Sequence, residues 1–385
     1  MKKKSMVAVL AAAALTAVLI SGCGERTDGN VAVEESEVWT GCVEGCACTN
    51  CICCGTTQQS APVEASAESE PESTLVQQPE STDISAQEQP DTQETQAETG
   101  EGKETPEKIS ELSEGELQAR REQQANFAEA RETLYGLADS QDKTTKINQM
   151  DRQILANNAY DFSQKNIVFI GDSITEGITS AVDDNGNFVS YVTYVNSYLH
   201  FNRVLNHGKG GRMFADYADA ELSLALNFSN VTNNSSDIIV VFAGVNDFLS
   251  APENKRFGNI DDTVSTAGYC GAVRYFMRQL KETYGDKEIF FVTMYNISKT
   301  APCTYSDYDG QPTLGDYMEV QRRLAGEYGF HIIELYDIGF MDCSTQESSD
   351  YYLRDGLHPK DNGNIVLGEH IAAELSLYFS QKESN

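Results

Sequence analysis

Two short blocks of the sequence pair residue types that can carry out nucleophilic chemistry on a carbonyl carbon. Ile170-Gly171-Asp172-Ser173-Ile174-Thr175 follows directly on the apolar run Ile167–Ile170. A serine at a strand-to-helix turn is presented to solvent, with backbone N–H groups of the following helix aimed towards it. Near the other end lies Asp355-Gly356-Leu357-His358-Pro359. An aspartate three residues before a histidine, in a loop bounded by glycine and proline, can place its carboxylate on imidazole Nδ1. That fixes the tautomer and leaves Nε2 free to act as a base. Serine is a poor nucleophile at neutral pH and needs such a base within hydrogen-bond reach. Each block alone has a plainer reading, Ser173 or Asp172 as a helix cap and His358 as a surface imidazole.

The elements that must position these residues begin at Asn166. Apolar runs at Ile167–Ile170, Val204-Leu205, Ile238–Phe242, Ile289–Val292 and Ile332-Ile333 read as five short strands. Helical patterns separate them, clearest at 267–284, 314–328 and 364–379. Fully apolar short strands alternating with helices predict an α/β fold, a parallel sheet covered on both faces. In open sheets of this kind, sites form beyond the carboxyl ends of the strands. Two further blocks fall at such ends, Asn206-His207-Gly208-Lys209-Gly210-Gly211 and Gly244-Val245-Asn246-Asp247.

The four blocks, in this order and relative spacing, resemble the SGNH (GDSL-type) hydrolase family over about residues 160–380. The resemblance implies a flavodoxin-like, three-layer α/β/α sandwich around a parallel sheet of about five strands, and ester hydrolysis through a covalent acyl-enzyme. Carried over to this chain, it makes Ser173 the nucleophile, His358 the base and Asp355 the residue that orients it. The Ser173 N–H, the Gly211 N–H and the Asn246 side-chain amide become the oxyanion-hole donors, with Gly208 an alternative to Gly211 in the glycine-rich block. Ile174 stands where the family's alternative name has leucine. The physics agrees with these roles: attack puts negative charge on the carbonyl oxygen, and losing one preorganised donor to it typically costs about 10²–10³ in rate. Asp172 and Asp247 read as residues that hold the turns, and His200, His207, His331 and His370 as structural. No motif calls for a metal or an organic cofactor.

The substrate is less legible. No apolar lid insertion of the kind a lipase uses is visible. The segments Val182–Tyr198 and Asn296–Tyr317 read as polar, aromatic loops, with Tyr191, Tyr194, Tyr198, Tyr305 and Tyr308 suited to sugar rings. The expectation is a surface esterase for short acyl, O-acetyl, groups on carbohydrate. A lipolytic esterase or thioesterase with the same triad is the first alternative, and a non-enzymatic surface binding protein the second.

Less than two thirds of the 385 residues carry this domain, expected at 161–385. Lys2, Lys3 and Lys4 precede the apolar run Met6–Ile20, the layout of a secretory signal over residues 1–22. Ile20-Ser21-Gly22-Cys23 resembles a bacterial lipobox, which implies acylation at Cys23 and anchoring on the outer face of the cytoplasmic membrane. The apolar run falls short of the roughly 20 residues that a spanning helix needs. Within the lipidated segment 23–55, six cysteines crowd into Cys42–Cys54, a set able to form disulfides or to chelate a soft metal. Cys270, Cys303 and Cys343 are an odd number, which predicts at least one buried free thiol. Residues 56–108 are Ser, Thr, Gln, Glu and Pro and read as a disordered acidic linker. Apolar residues at helical spacing then predict two helices over 109–160, broken near Gly136–Asp142, a helical spacer that either packs on the domain that follows or continues the stalk. Net charge is −31, of which −16 falls on residues 24–108 and −15 on 161–385. That balance excludes a nucleic-acid partner, because binding a phosphate backbone requires a basic footprint. It leaves neutral acylated substrates open and says nothing about oligomeric state.

Overall fold

The structure is a computed structural model that describes residues 108–184, 186–216, 220–232, 235–249, 257–261, 265–298 and 312–383. All of them belong to the unit Thr74–Asn385. The signal segment, Cys23, the Cys42–Cys54 cluster, residues 56–107, Cys303, Tyr305 and Tyr308 lie outside the described residues.

Five parallel strands form one sheet: β1 (Asn166–Gly171), β2 (Arg203–Gly208), β3 (Ile238–Phe242), β4 (Glu288–Val292) and β5 (His331–Ile333). Their spatial order is β2-β1-β3-β4-β5. The central strands are buried on both faces, which is why they read as unbroken apolar runs instead of alternating ones. The register puts Gly171 beside Gly208 on one side and Phe242 on the other. Chain order reverses direction between β1 and β3, so a crevice opens beyond their carboxyl ends, where ligands bind in such sheets.

The helices are α1 (Glu114–Tyr135), α2 (Gln141–Ala156), α3 (Ser173–Glu176), α4 (Tyr191–Leu199), α5 (Phe228–Val231), α6 (Val245–Leu249), α7 (Tyr269–Tyr284), α8 (Leu314–Tyr328), α9 (Gln346–Tyr352) and α10 (Asp361–Lys382). α7 and α8 pack together, and α10 packs against α4 and α2. Ser113 begins α1 with a reciprocal cap to Glu116, and Thr313 does the same for α8 with Asp316. No described helix is long and apolar enough to cross a membrane.

The structure decides one open sequence reading and changes another. Of the two placements open to the helical spacer, it packs on the domain: Ile147 and Ile154 are fully buried in the common core, and Gln124 Nε2 donates to Ser376 Oγ of α10 at 2.7 Å. The stretch expected to be a loop as far as Tyr198 becomes a helix from Tyr191 onward. Tyr191, Val192, Val195 and Leu199 form its inner face, so packing on α10 overrides the strand preference of its β-branched and aromatic residues. Cys270 and Cys343 are both buried, Cys343 as a free thiol.

Candidate active site

β1 brings the chain to the crevice at Gly171, and Asp172 turns it into α3. The Asp172 carboxylate caps that helix by accepting the Ile174 N–H at 2.9 Å. Ser173 is thereby the first residue of α3, and its Oγ lies 2.8 Å from His358 Nε2. His358 Nδ1 lies 2.7 Å from Asp355 Oδ2. An ionised carboxylate only accepts, so Nδ1 carries the proton and Nε2 offers its lone pair to the serine hydroxyl. The other Asp355 oxygen accepts the Leu357 and His358 N–H groups at 3.1 and 2.8 Å. Burial raises the Asp355 pKa, but the hydrogen bonds from His358 outweigh it and hold the carboxyl at about 2.

The glycine-rich block runs beside α3. A Cβ on Gly208 would stand 2.1 Å from Glu176 N, so only glycine lets the short helix sit on the end of β2. Asn206 ties the two together, donating to Thr175 O at 2.7 Å and accepting the Gly208 N–H at 2.9 Å. The Gly210 N–H donates to Glu176 Oε2 at 2.6 Å. Gly211 follows with φ +75°, in the left-handed region, and its N–H meets no acceptor among the described residues. Of the two glycines left open by the sequence, Gly208 therefore has its N–H committed and Gly211 does not.

Asn246, in the first turn of α6, donates one amide hydrogen to Arg212 O at 2.9 Å, which orients the group and leaves its second hydrogen available. Asp247 accepts the Phe214 and Ala215 N–H groups at 2.8 and 2.9 Å. It thus fixes the segment that follows Gly211. Asp172 and Asp247 hold turns, as their positions suggested. Burial pushes both carboxyls up to about 7, and the Asp172 charge adds to the rise at Asp247.

Several positioning residues escape sequence reading. Tyr295, just past β4, donates its hydroxyl to Leu357 O at 2.5 Å, and the Ser298 N–H donates to Gly356 O at 3.0 Å. Together they clamp the loop that carries Asp355 and His358. Gln321 on α8 holds the β3 exit by donating to Ala243 O at 2.9 Å. Glu176 had a readable signal, three residues after Ser173 within the same motif. Tyr295 and Gln321 had none, because their partners are distant in sequence.

The other histidines serve the scaffold. His207 Nδ1 contacts Val231 O, His331 packs on Phe290 and Tyr378, and His370 faces Asp151. Of the tyrosines expected to rim the site, Tyr191 is in the core with its hydroxyl on Thr175, and Tyr198 donates to Glu369. Tyr191 is therefore closed to a ligand ring, whereas Tyr198 commits its hydroxyl and keeps its ring 38% exposed. No cluster of metal-ligating side chains is present among the described residues.

Residues 169–365 match the model of the GDSL-like lipase/acylhydrolase family. Among solved structures, the chain is similar to a protein from Lactobacillus plantarum (21% identity, 56% of this chain and 99% of the other, TM-score 0.48). It is also similar to a lipase/acylhydrolase from Enterococcus faecalis (20% identity, 55% and 96%, TM-score 0.39). A third similar structure is an acetyl xylan esterase (18% identity, 55% and 99%, TM-score 0.39). No protein of curated function matches the sequence. With more than half of its length inside the family model and the four blocks gathered at the carboxyl ends of a parallel five-stranded sheet, the chain belongs to the GDSL-like lipase/acylhydrolase family, hydrolases that act on ester bonds.

Proposed function

We propose that Ser173, His358 and Asp355 are the nucleophile, base and orienting carboxylate of an esterase working through an acyl-enzyme. The observation that carries this is the unbroken chain from Ser173 Oγ through His358 to Asp355, with links of 2.8 and 2.7 Å. Ser173 Oγ attacks the ester carbonyl carbon while its proton passes to His358 Nε2. The tetrahedral oxyanion takes the Ser173 N–H, the Gly211 N–H and the second Asn246 amide hydrogen. Its collapse breaks the bond to the alkoxy oxygen, which leaves as the alcohol with the proton from Nε2. Water, deprotonated by His358, then attacks the acyl carbon, releasing the carboxylic acid and restoring Ser173.

The substrate we infer is a short acyl ester, an O-acetyl group on carbohydrate, met by an enzyme anchored outside the membrane through acylated Cys23. The lipobox-like Ile20–Cys23 sequence supports the anchor. The acidic balance of the hydrolase segment supports a neutral substrate over a polyanion. A lipolytic esterase with the same triad is the second reading; it would have to cover an acyl chain with the exposed Ile178, Val182 and Phe188, close to the serine in sequence.

A fluorophosphonate probe should label the parent protein and not Ser173→Ala, and only the parent should release acetate from an acetylated saccharide. Equal labelling of both would refute the nucleophile. Faster turnover of long-chain acyl esters than of acetylated sugar would replace the first substrate reading with the second.

A further inference from the structure

Immediately after α3 the chain forms a small hairpin. Val182 and Phe188 pair across it, flanked by the bonds Asp183 N–H to Asn187 O (2.9 Å) and Val189 N–H to Ala181 O (2.8 Å). Directly paired residues project to the same face, so Val182 and Phe188 stand side by side. They are 55% and 42% exposed, and Ile178 at the hairpin's base is 36% exposed. Three of the seven most exposed large hydrophobic side chains among the described residues thus sit in this one segment. Scattered exposed hydrophobics need no explanation, but a cluster beside a reactive centre does.

The segment is held to the site. The Ile178 N–H donates to Ser173 O at 3.1 Å. A Cβ on Gly210 would come within 2.8 Å of Ile178 Cδ1, so the apolar surface reaches the backbone beside Gly211. Asn364, buried on α10, pins both ends, donating to Ser180 Oγ and accepting the Tyr191 N–H, each at 3.0 Å. Beyond the apolar pair the tip turns polar: Asp183 and Asn187 are exposed and bonded to each other, with Asp184 exposed beside them.

An acyl chain gains most where it is enclosed on all sides, and an open lip edged with carboxylates leaves it half wet. A saccharide ring has one C–H face to cover and hydroxyls at its edge that seek carboxylate and amide partners. We propose that Phe188 and Val182, with Asp183 and Asn187 at the tip, form a platform that holds a sugar ring of the acylated substrate beside Ser173. The proposal rests on the carbohydrate reading above and adds the surface that selects for it.

The test measures kcat/KM for an O-acetylated xylo-oligosaccharide, ethyl acetate and ethyl octanoate with the full chain, its Phe188→Leu and Phe188→Trp variants, and Leu137→Ser as a distant exposed control. Phe188→Leu keeps apolar bulk but loses the ring face. It should lower the sugar-to-ethyl-acetate ratio about tenfold, the scale of one aromatic contact, while Phe188→Trp and Leu137→Ser keep the parent ratio. An unchanged ratio in Phe188→Leu overturns the platform, as does a loss confined to ethyl octanoate. If the parent cleaves ethyl acetate but not the sugar ester, the carbohydrate reading itself fails, an outcome visible before any variant is made.

Discussion

At the scale of single residues, burial raises the pKa of three carboxyl groups around Ser173, and hydrogen bonds reverse the outcome at one of them. Asp355 accepts hydrogen bonds from His358 and is held at about 2, while Asp172 and Asp247 rise to about 7 because burial outweighs their backbone N–H partners. An unfolded aspartate titrates near 3.9. Between about pH 4 and 7 the native Asp172 and Asp247 therefore keep protons that the unfolded chain has released. Stability from these two falls as pH rises through that window and is flat above it. Asp355 works the other way: its contribution is complete above about pH 4 and is lost as pH falls towards 2. Asp247→Asn should thus flatten the dependence of melting temperature on pH between 5 and 7, whatever it does to the absolute value through the Phe214 and Ala215 N–H groups. Parallel slopes for variant and parent would show that Asp247 does not titrate in that range.

At the scale of elements, the motif-bearing turns were legible in the sequence, and the pieces that brace them were not. Ser173, Asp355 and His358 sit in short local patterns with turn chemistry of their own, and β1 and β3 are apolar runs that can only be buried. The α1–α2 hairpin was readable as two helices with a break, matching the observed ends at Tyr135 and Gln141. Its docking was not readable, because Arg131 and Asp151 look solvent-facing in a sequence yet are buried here. Arg131 bonds both Asp151 and Glu374, and Asp151 Oδ2 faces His370 Nδ1 at 2.9 Å, joining α1, α2 and α10. Burial raises the Asp151 pKa, but His370 and Arg131 outweigh it and hold the carboxyl below its ordinary value. Removing one partner of such a pair strands a buried charge, which costs about 3–5 kcal/mol. Arg131→Ala should lower the stability of the whole domain by about that much in a single urea transition. A separate early transition, with the main one unmoved, would show that the hairpin is an appended stalk after all.

At the scale of the whole molecule, charge decides what can hold the protein at a membrane. Segment 24–108 carries −16 and segment 161–385 carries −15, and the only positive stretch, residues 1–23, is the one a signal peptidase would remove almost entirely. Anionic lipid repels such a chain, so no polybasic patch can supplement a lipid anchor. The anchor must then be sufficient by itself. One acyl chain gives marginal binding at about 0.8 kcal/mol per buried methylene, and two or more give a stable hold. The proposal of an anchor at Cys23 therefore requires multiple acylation at that one residue. Mass spectrometry of the membrane-extracted protein should find the N-terminus at Cys23 carrying a diacylglyceryl group. Metabolic palmitate labelling should vanish in Cys23→Ser, and extraction of the parent should need detergent and be indifferent to salt. Release by salt alone, or an unmodified Cys23 thiol behind an intact Met6–Ile20 segment, would mean that the apolar run or a partner protein does the holding and that the lipobox resemblance misleads.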